Sequence, residues 1–338
     1  GKEKELTIVD SKERIVTVKK PLKRIVSSKR SAIVMLKVLK VSTDRIVGVS
    51  SIMQRPGYEN DILFPEFQDK PTVGNLWTPD VEAILNLNPD VVMLMAKHMS
   101  GAQTLDNAQN VLESAGIPVI RVYGGAWGKG IPEEVKKLGY VFGKQDEADE
   151  FVYFYNKHMD SIKEKVESIP AEDKPKVYFE SSKSYSTVAG GNYQYVKAAG
   201  GKNIFFEMGS VDPEAVIDRN PDIIVKVAPL SASGYRFDSD DTTEIEKVRE
   251  EIMNRPELQK VKAVKERRVY VISCRIVSYG SAAGCRGFFH RLYLAKWFHP
   301  GLFEDLDPKA IHQEYLTRFQ GLDYDLDTKG VFVYPEPS

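Results

Sequence analysis

The sequence predicts an α/β protein of two Rossmann-like lobes, each with a mostly parallel sheet, joined by one long α-helix. Three observations carry that prediction. Short β-branched runs alternate with helical patterns through both halves, as expected for parallel strands covered by helices. One phrase occurs twice, as DVEAILNLNPDVV at 80–92 and DPEAVIDRNPDII at 212–224, at a constant offset and without a gap. Between the halves, Ala148, Phe151, Val152, Tyr155, Met159, Ile162 and Val166 keep a three-four spacing that defines one amphipathic helix.

From the N-terminus, LTIVDSKERIVTV reads as a β-hairpin. RIVSS at 24–28 is a strand leading into a helix around SAIVMLKVL, and RIVGVS at 45–50 is a strand leading into a loop. A helix follows at 78–87, a strand at DVVMLM (90–95), a helix near 103–115 and a strand at PVIRVYG (118–124). The connecting helix runs from 146, with Pro170 and Pro175 punctuating its end. The second half repeats the plan. KVYFES at 176–181 precedes a helix ending before AAGGKN, and the DPEAVIDRN helix leads to DIIVKVA. A helix at 243–254, the strand RVYVIS at 268–273 and a helix in GFFHRLYLAKWF complete it. The boundaries are 1–145 for the N-terminal lobe, 146–170 for the connecting helix and 171–338 for the C-terminal lobe. A helical rod of this kind favours small rocking motions over wide opening.

A chain of 338 residues is long enough for two domains with separate cores. Its 42% apolar and 28% charged residues describe an ordinary globular protein. A formal charge of −1 gives no global attraction for nucleic acid or an anionic membrane. No apolar run approaches the ~20 residues that span a bilayer. The start GKEKELTIVD lacks a leader's apolar core, which fits either a cytosolic protein or a trimmed exported one. Cys274 and Cys285 are compatible with a disulfide or with two thiols. His98, His158, His290, His299 and His312 form no ligand cluster, so no dedicated metal site is expected. His290 and His299 read as packing or surface residues, Met35, Met93 and Met95 as core, and KVKAVKERR at 260–268 as a solvated basic face. AGGN at 189–192 lacks the rest of a phosphate loop and reads as a helix start.

In each copy of the repeated phrase a short helix is broken by Asn-Pro, and the following Asp starts a strand. Thr78-Pro79 and Asp212-Pro213 have the composition of N-cap and first-turn pairs. Glu82 and Glu214 then lie in the first turns, where the helix dipole favours an anion. For either glutamate alone that local benefit is a sufficient reading. For the pair, equivalent corners of two similar bodies would suit a partner that is itself two-fold symmetric.

The opening TIVDSKERIVTVKKPLKRIV, the paired phrases, the AAGGKN turn and the closing LAKWFHPGLF together resemble the periplasmic substrate-binding proteins of ABC importers for iron–siderophore complexes, haem and cobalamin. The resemblance runs from about residue 6 to 320, and its strength lies in the order of the motifs. It implies two α/β lobes on a single backbone helix, a ligand held between them, and a glutamate on each lobe docking into arginine pockets of a permease dimer. Glu82 and Glu214 match those positions. It also implies a monomer at the periplasmic or extracytoplasmic membrane surface, with lipid anchoring before processing left open.

Ligands of open α/β sheets bind outside the carboxyl ends of the strands. The loops expected there carry Arg55, Tyr58, Trp77 and Trp127 in the first half, with His98 nearby. In the second half they carry Tyr185, Tyr193, Tyr235, Arg236, Phe237, Arg275 and Tyr279. Aromatic faces stack on planar groups and arginine forks pair with carboxylate or catecholate oxygens. Tyrosine phenolate is a further candidate donor to ferric iron. The expected cargo is an iron(III) chelate, with no resident cofactor and no nucleic-acid partner. Haem or a corrinoid, with His98 as axial ligand, is the alternative within the same transport class. A two-lobed enzyme such as a chelatase or glycosyltransferase is the alternative outside it, although no nucleophile–base–orienter set is legible.

Overall fold

The computed structural model describes residues 4–58, 60–96, 102–123, 130–187, 191–229, 236–274, 276, 285 and 287–338, with side chains undescribed at 191–193. The chain divides into two compact units. The first holds the described residues of Gly1–Tyr155, Tyr279–Cys285 and Arg318–Leu322, and the second those of Asn156–Ser278, Arg286–Thr317 and Asp323–Ser338.

In the first unit, β1 (Lys4–Val9) and β2 (Ile15–Lys20) form the antiparallel hairpin, registered from Lys4 against Lys20 to Val9 against Ile15. Then come β3 (Ile25–Ser27), α1 (Arg30–Val38), β4 (Ile46–Val49), α2 (Asn60–Leu63), α3 (Val81–Asn86), β5 (Val91–Met95), α4 (Gln103–Ser114), β6 (Val119–Val122) and α5 (Ile131–Phe142). The sheet order is β4-β3-β5-β6, all parallel. Strands covered by helices on both faces read as continuous apolar runs, and Val26, Val92, Leu94 and Val119 accordingly pack with Ile84, Ala108 and Leu112.

The division between units falls within α6 (Gln145–Glu167). Six of the seven residues of its predicted face, Ala148, Phe151, Val152, Tyr155, Ile162 and Val166, are buried, and Met159 is half-buried. The second unit continues with β7 (Lys176–Glu180), β8 (Ser186–Thr187), α7 (Gly191–Ala198), β9 (Lys202–Asn203), β10 (Gly209–Ser210), α8 (Pro213–Arg219) and β11 (Ile223–Ala228). It closes with α9 (Thr243–Met253), α10 (Lys262–Lys265), β12 (Val269–Ser273), α11 (Phe289–Phe298), α12 (Pro308–Glu314) and β13 (Val333–Tyr334). The order is β13-β12-β11-β7-β9, with only β13 antiparallel.

The repeated phrase builds the same joint twice. Asn88 and Asn220 both adopt φ of 44°, a left-handed conformation that asparagine tolerates, and so end their helices. The aspartate after each Pro then clamps the start of the neighbouring strand. Asp90 accepts from the backbone N–H of Lys23 (2.6 Å) and Arg24 (2.8 Å), and Asp222 from that of Lys176 (2.7 Å). The strand registers match as well: Ile25 pairs with Val91, and Val177 with Ile223.

One cap departs from expectation. Asp212 caps α8 with Pro213 in its first turn, but α3 is capped by Asp80, whose carboxylate accepts from Ala83 N–H at 3.0 Å. Thr78-Pro79 is drawn off by a bridge between Pro79 and Gly74. Gly74 has φ of +80°, and a Cβ there would come within 2.4 Å of the Thr78 carbonyl oxygen, so only glycine fits.

His290 on α11 is fully buried, 3.6 Å from the Tyr195 ring centroid, and neither ring nitrogen has a hydrogen-bond partner among the described residues. Burial, with Arg291 adding, pushes its pKa well below the usual value, so it folds neutral. The unfolded chain protonates this imidazole below about pH 6.5, so its contribution to stability declines as pH falls below that value. His290→Phe is therefore expected to stabilise the protein by about 1–2 kcal/mol near neutral pH and by more in mild acid. Thermal unfolding followed at two pH values checks this, and a lowered melting temperature at both would refute it.

Candidate functional site

At the carboxyl edge of the first sheet, β3 runs into α1 through Ser27-Ser28-Lys29-Arg30-Ser31, and all five residues are buried. The Ser27 hydroxyl lies 3.1 Å from the Met93 carbonyl and accepts from Lys29 N–H at 3.1 Å, which fixes the bend. Helix α1 starts at Arg30 without a side-chain cap. Arg30 lays its guanidinium over Phe64, 5.3 Å from the ring centroid. Among the described residues the hydroxyls of Ser28 and Ser31 and the Lys29 ammonium have no hydrogen-bond partner, and neither has the Ser50 hydroxyl just past β4. Lys29 is 0% exposed. Burial pulls its pKa down to about 7, with Glu134 acting in the opposite sense. Glu134 does not bond it: that carboxylate takes the Ser11 hydroxyl at 2.5 Å and Tyr123 N–H at 3.1 Å. Sequence reasoning missed this turn, although the signal was present as SSKRS set between an apolar strand and an apolar helix.

Among the residues predicted from sequence, the structure brings Arg55 and Tyr58 together, with the guanidinium 5.3 Å from the ring centroid. Trp77 is 43% exposed in the loop before α3, and its backbone N–H donates to the Asn75 side-chain oxygen at 2.8 Å. His98, Trp127, Tyr235, Arg275 and Tyr279 lie outside the described residues, as does the side chain of Tyr193. Phe237 is a correction. It is 1% exposed and packs edge-on against Phe332 at 4.7 Å, because the 236–239 turn folds its ring into the core. Arg236 is half-buried, with Nε 2.7 Å from an Asp238 carboxylate oxygen.

The second sheet's carboxyl edge is saturated. The buried Glu180 carboxylate receives both terminal nitrogens of Arg255 (2.7 and 2.9 Å) and Lys226 Nζ (2.7 Å). It also takes the Tyr178 hydroxyl and Tyr185 N–H, each at 3.0 Å. Burial alone would raise its pKa, but the Arg255 hydrogen bonds and the Lys226 and Arg255 charges hold it below the usual range. Tyr185 packs its ring 4.5 Å under Arg255 and donates its hydroxyl to Glu257. Burial and that bond raise the phenol's pKa, so Tyr185 stays protonated and its oxygen is committed within the protein.

The matched registers make these two edges comparable. Ser27 beside Met93 corresponds to Phe179 beside Val225, so Ser28 stands where the second unit has Glu180. One unit supplies a buried anion at this level, and the other supplies unpartnered donors.

Glu82 and Glu214 both occupy the second helical position of their helices, after Val81 and Pro213. Both are exposed, and neither carboxylate makes a hydrogen bond or ion pair among the described residues. The other groups bear less directly on a site. A groove of about 750 Å³ lined by Arg14, Lys20, Pro89, Asp90 and Pro118 lies at the amino ends of β5 and β6, the edge opposite the one where such sheets bind ligands. Among the described residues no group of three His, Cys, Asp or Glu side chains is placed to hold a metal ion. Among them, too, no helix is long and apolar enough to cross a membrane.

The family model described as "Periplasmic binding protein" matches residues 25–275. The molybdate-binding protein MolA of Haemophilus influenzae is 22% identical over 340 residues, covering 95% of this chain and 92% of that one. The high-affinity haem uptake system protein IsdE of Staphylococcus aureus is 27% identical over 171 residues, 48% of this chain and 55% of its own length. Among solved structures, the TroA-like periplasmic binding protein FepB from Veillonella parvula superposes with a TM-score of 0.78 at 22% identity, covering 97% and 99% of the two chains. MolA bound to molybdate superposes at 0.70 and 20% identity, covering 95% and 99%.

Proposed function

Since the chain belongs to the periplasmic binding protein family, whose members work outside the cytoplasm as substrate-binding components of ABC transporters, we propose that it delivers an anionic metal chelate, an iron(III) complex above all, to a permease dimer. The observation that carries the delivery role is the matched pair of exposed first-turn glutamates, Glu82 and Glu214, whose carboxylates have no partner among the described residues. An exposed charge whose carboxylate has no partner among the described residues, repeated in register on a second unit, is what a two-fold symmetric receptor would read. In this reading α6 is the strut between units, and Arg55 with Tyr58 is an arginine–aromatic contact for the chelate. The remaining candidate contacts are Trp77, Trp127, Tyr185, Tyr193, Arg236, Arg275 and Tyr279, with Tyr185 offering its ring face and not a phenolate.

The cargo reading rests on donors suited to anionic oxygen. The cluster of Ser28, Lys29 and Ser31 also favours a second reading, a simple metal oxyanion, which is the chemistry named for the Haemophilus relative. Titrating the protein with ferric citrate, a ferric catecholate, molybdate, haemin and cobalamin, followed by tryptophan fluorescence and visible absorbance, separates these. Saturable quenching by a ferric chelate, with no haemin or cobalamin spectral shift, is the expected outcome. Tight haemin or cobalamin binding without chelate binding would replace the cargo.

A further inference from the structure

We propose that the first turn of α1 is a socket for one anionic oxygen-bearing group of the cargo, a carboxylate or a metal oxyanion, gripped by the Lys29 ammonium, the Ser28 and Ser31 hydroxyls and the uncapped helix start. The proposal deepens the solute-binding reading and rests on it, because it names the part of the solute that is held. Three independent features converge. Buried polar side chains in native proteins are nearly always hydrogen-bonded, yet three within one turn have no partner among the described residues, and Ser50 at the next strand end makes a fourth. A helix start favours negative charge, and among the described residues no side chain caps this one. The third feature is internal. At the equivalent level of the second sheet the chain provides its own carboxylate, Glu180, and surrounds it with Lys226, Arg255 and two further donors. The first unit has the donors and a serine where that carboxylate would stand.

The charged groups around the Lys29 amine are Arg30 beside it on α1, turned onto Phe64, and Glu134 on α5, with Lys137 behind it at 3.8 Å. Glu134 acts in two opposed senses, repelling an entering anion and favouring the charged form of the Lys29 that would hold it, so it is kept unchanged in every variant below.

Calorimetric titration of the full chain with sodium molybdate, sodium sulfate, inorganic phosphate and ferric citrate tests the socket, with melting curves of the ligand-free protein alongside. Whichever of these binds, Lys29→Met should weaken it by about tenfold or more, as loss of a charge-assisted hydrogen bond does. The same substitution should leave the ligand-free melting temperature unchanged or higher, since it removes an unpaired buried charge. Wild-type affinity should fall as pH rises from about 6 to about 8, while that of Lys29→Met stays flat. Should the methionine variant fail to fold, the double variant Ser28→Ala with Ser31→Ala tests the same grip and should weaken binding in the same direction. Wild-type affinity in both variants would overturn the socket and leave the solute-binding reading standing. Failure of the wild type to bind all four ligands would also overturn it, and the haemin and cobalamin titrations would then decide the broader reading.

Discussion

Glu180→Gln is expected to cost about 3–5 kcal/mol of folding stability, the usual penalty for removing one partner of a buried ion pair. The amide has nearly the same shape, so the loss isolates the charge. Arg255 and Lys226 would remain at the end of β7 and β11, buried and facing a neutral group, with Glu251 alone left to Arg255 at 2.7 Å. Urea unfolding at neutral pH measures the cost directly, and melting should fall by about 6–20 °C. The acid limb supplies a second test. The Glu180 pKa is lower folded than unfolded, so its contribution is full above the ordinary carboxylate range and is lost as pH falls through the folded value. The variant should lack that part of the acid dependence. Replacing Glu180, Lys226 and Arg255 together by apolar residues should cost much less than the single change, because no charge is then stranded. A single-variant loss below about 1 kcal/mol would mean that solvent already reaches the cluster.

Reversing both docking charges, Glu82→Lys with Glu214→Lys, should reduce permease-dependent uptake to background while the ligand dissociation constant and the melting temperature stay near wild type. Both helices keep their aspartate caps, Asp80 and Asp212, so the fold does not depend on either glutamate. Each single reversal should slow uptake by about tenfold, chiefly through encounter and orientation, and should show a shallower salt dependence than wild type, because one repulsive pair offsets the remaining attraction. Uptake into proteoliposomes carrying the cognate permease reads this, with ligand affinity measured on the same preparations. Undiminished transport by the double variant would remove these residues from docking.

Much of the architecture was legible before any coordinates. The hairpin, the parallel strands and the face of α6 follow from periodicity, because side-chain spacing alone decides which residues of an element share a face. The repeated phrase was legible as a duplication and as two exposed glutamates. What it also does, clamping a neighbouring strand through Asp90 and Asp222, was not, since the clamped residues lie 66 and 46 positions away. The same limit explains the misplaced cap before α3 and the core position of Phe237. A turn-rich stretch shows that the chain bends, but neither the bridge formed by Pro79 nor the side of the turn on which a ring falls is encoded locally.

The sequence by itself determined the element types, their order, the internal duplication and the family. The tertiary structure alone decided which polar groups are satisfied. Lys29 and Lys226 look alike in a string of letters, and both are buried, yet one meets no acceptor and the other meets Glu180 at 2.7 Å. The cost of desolvating a charge depends on every atom brought around it, and those atoms come from strands and helices far apart in the chain.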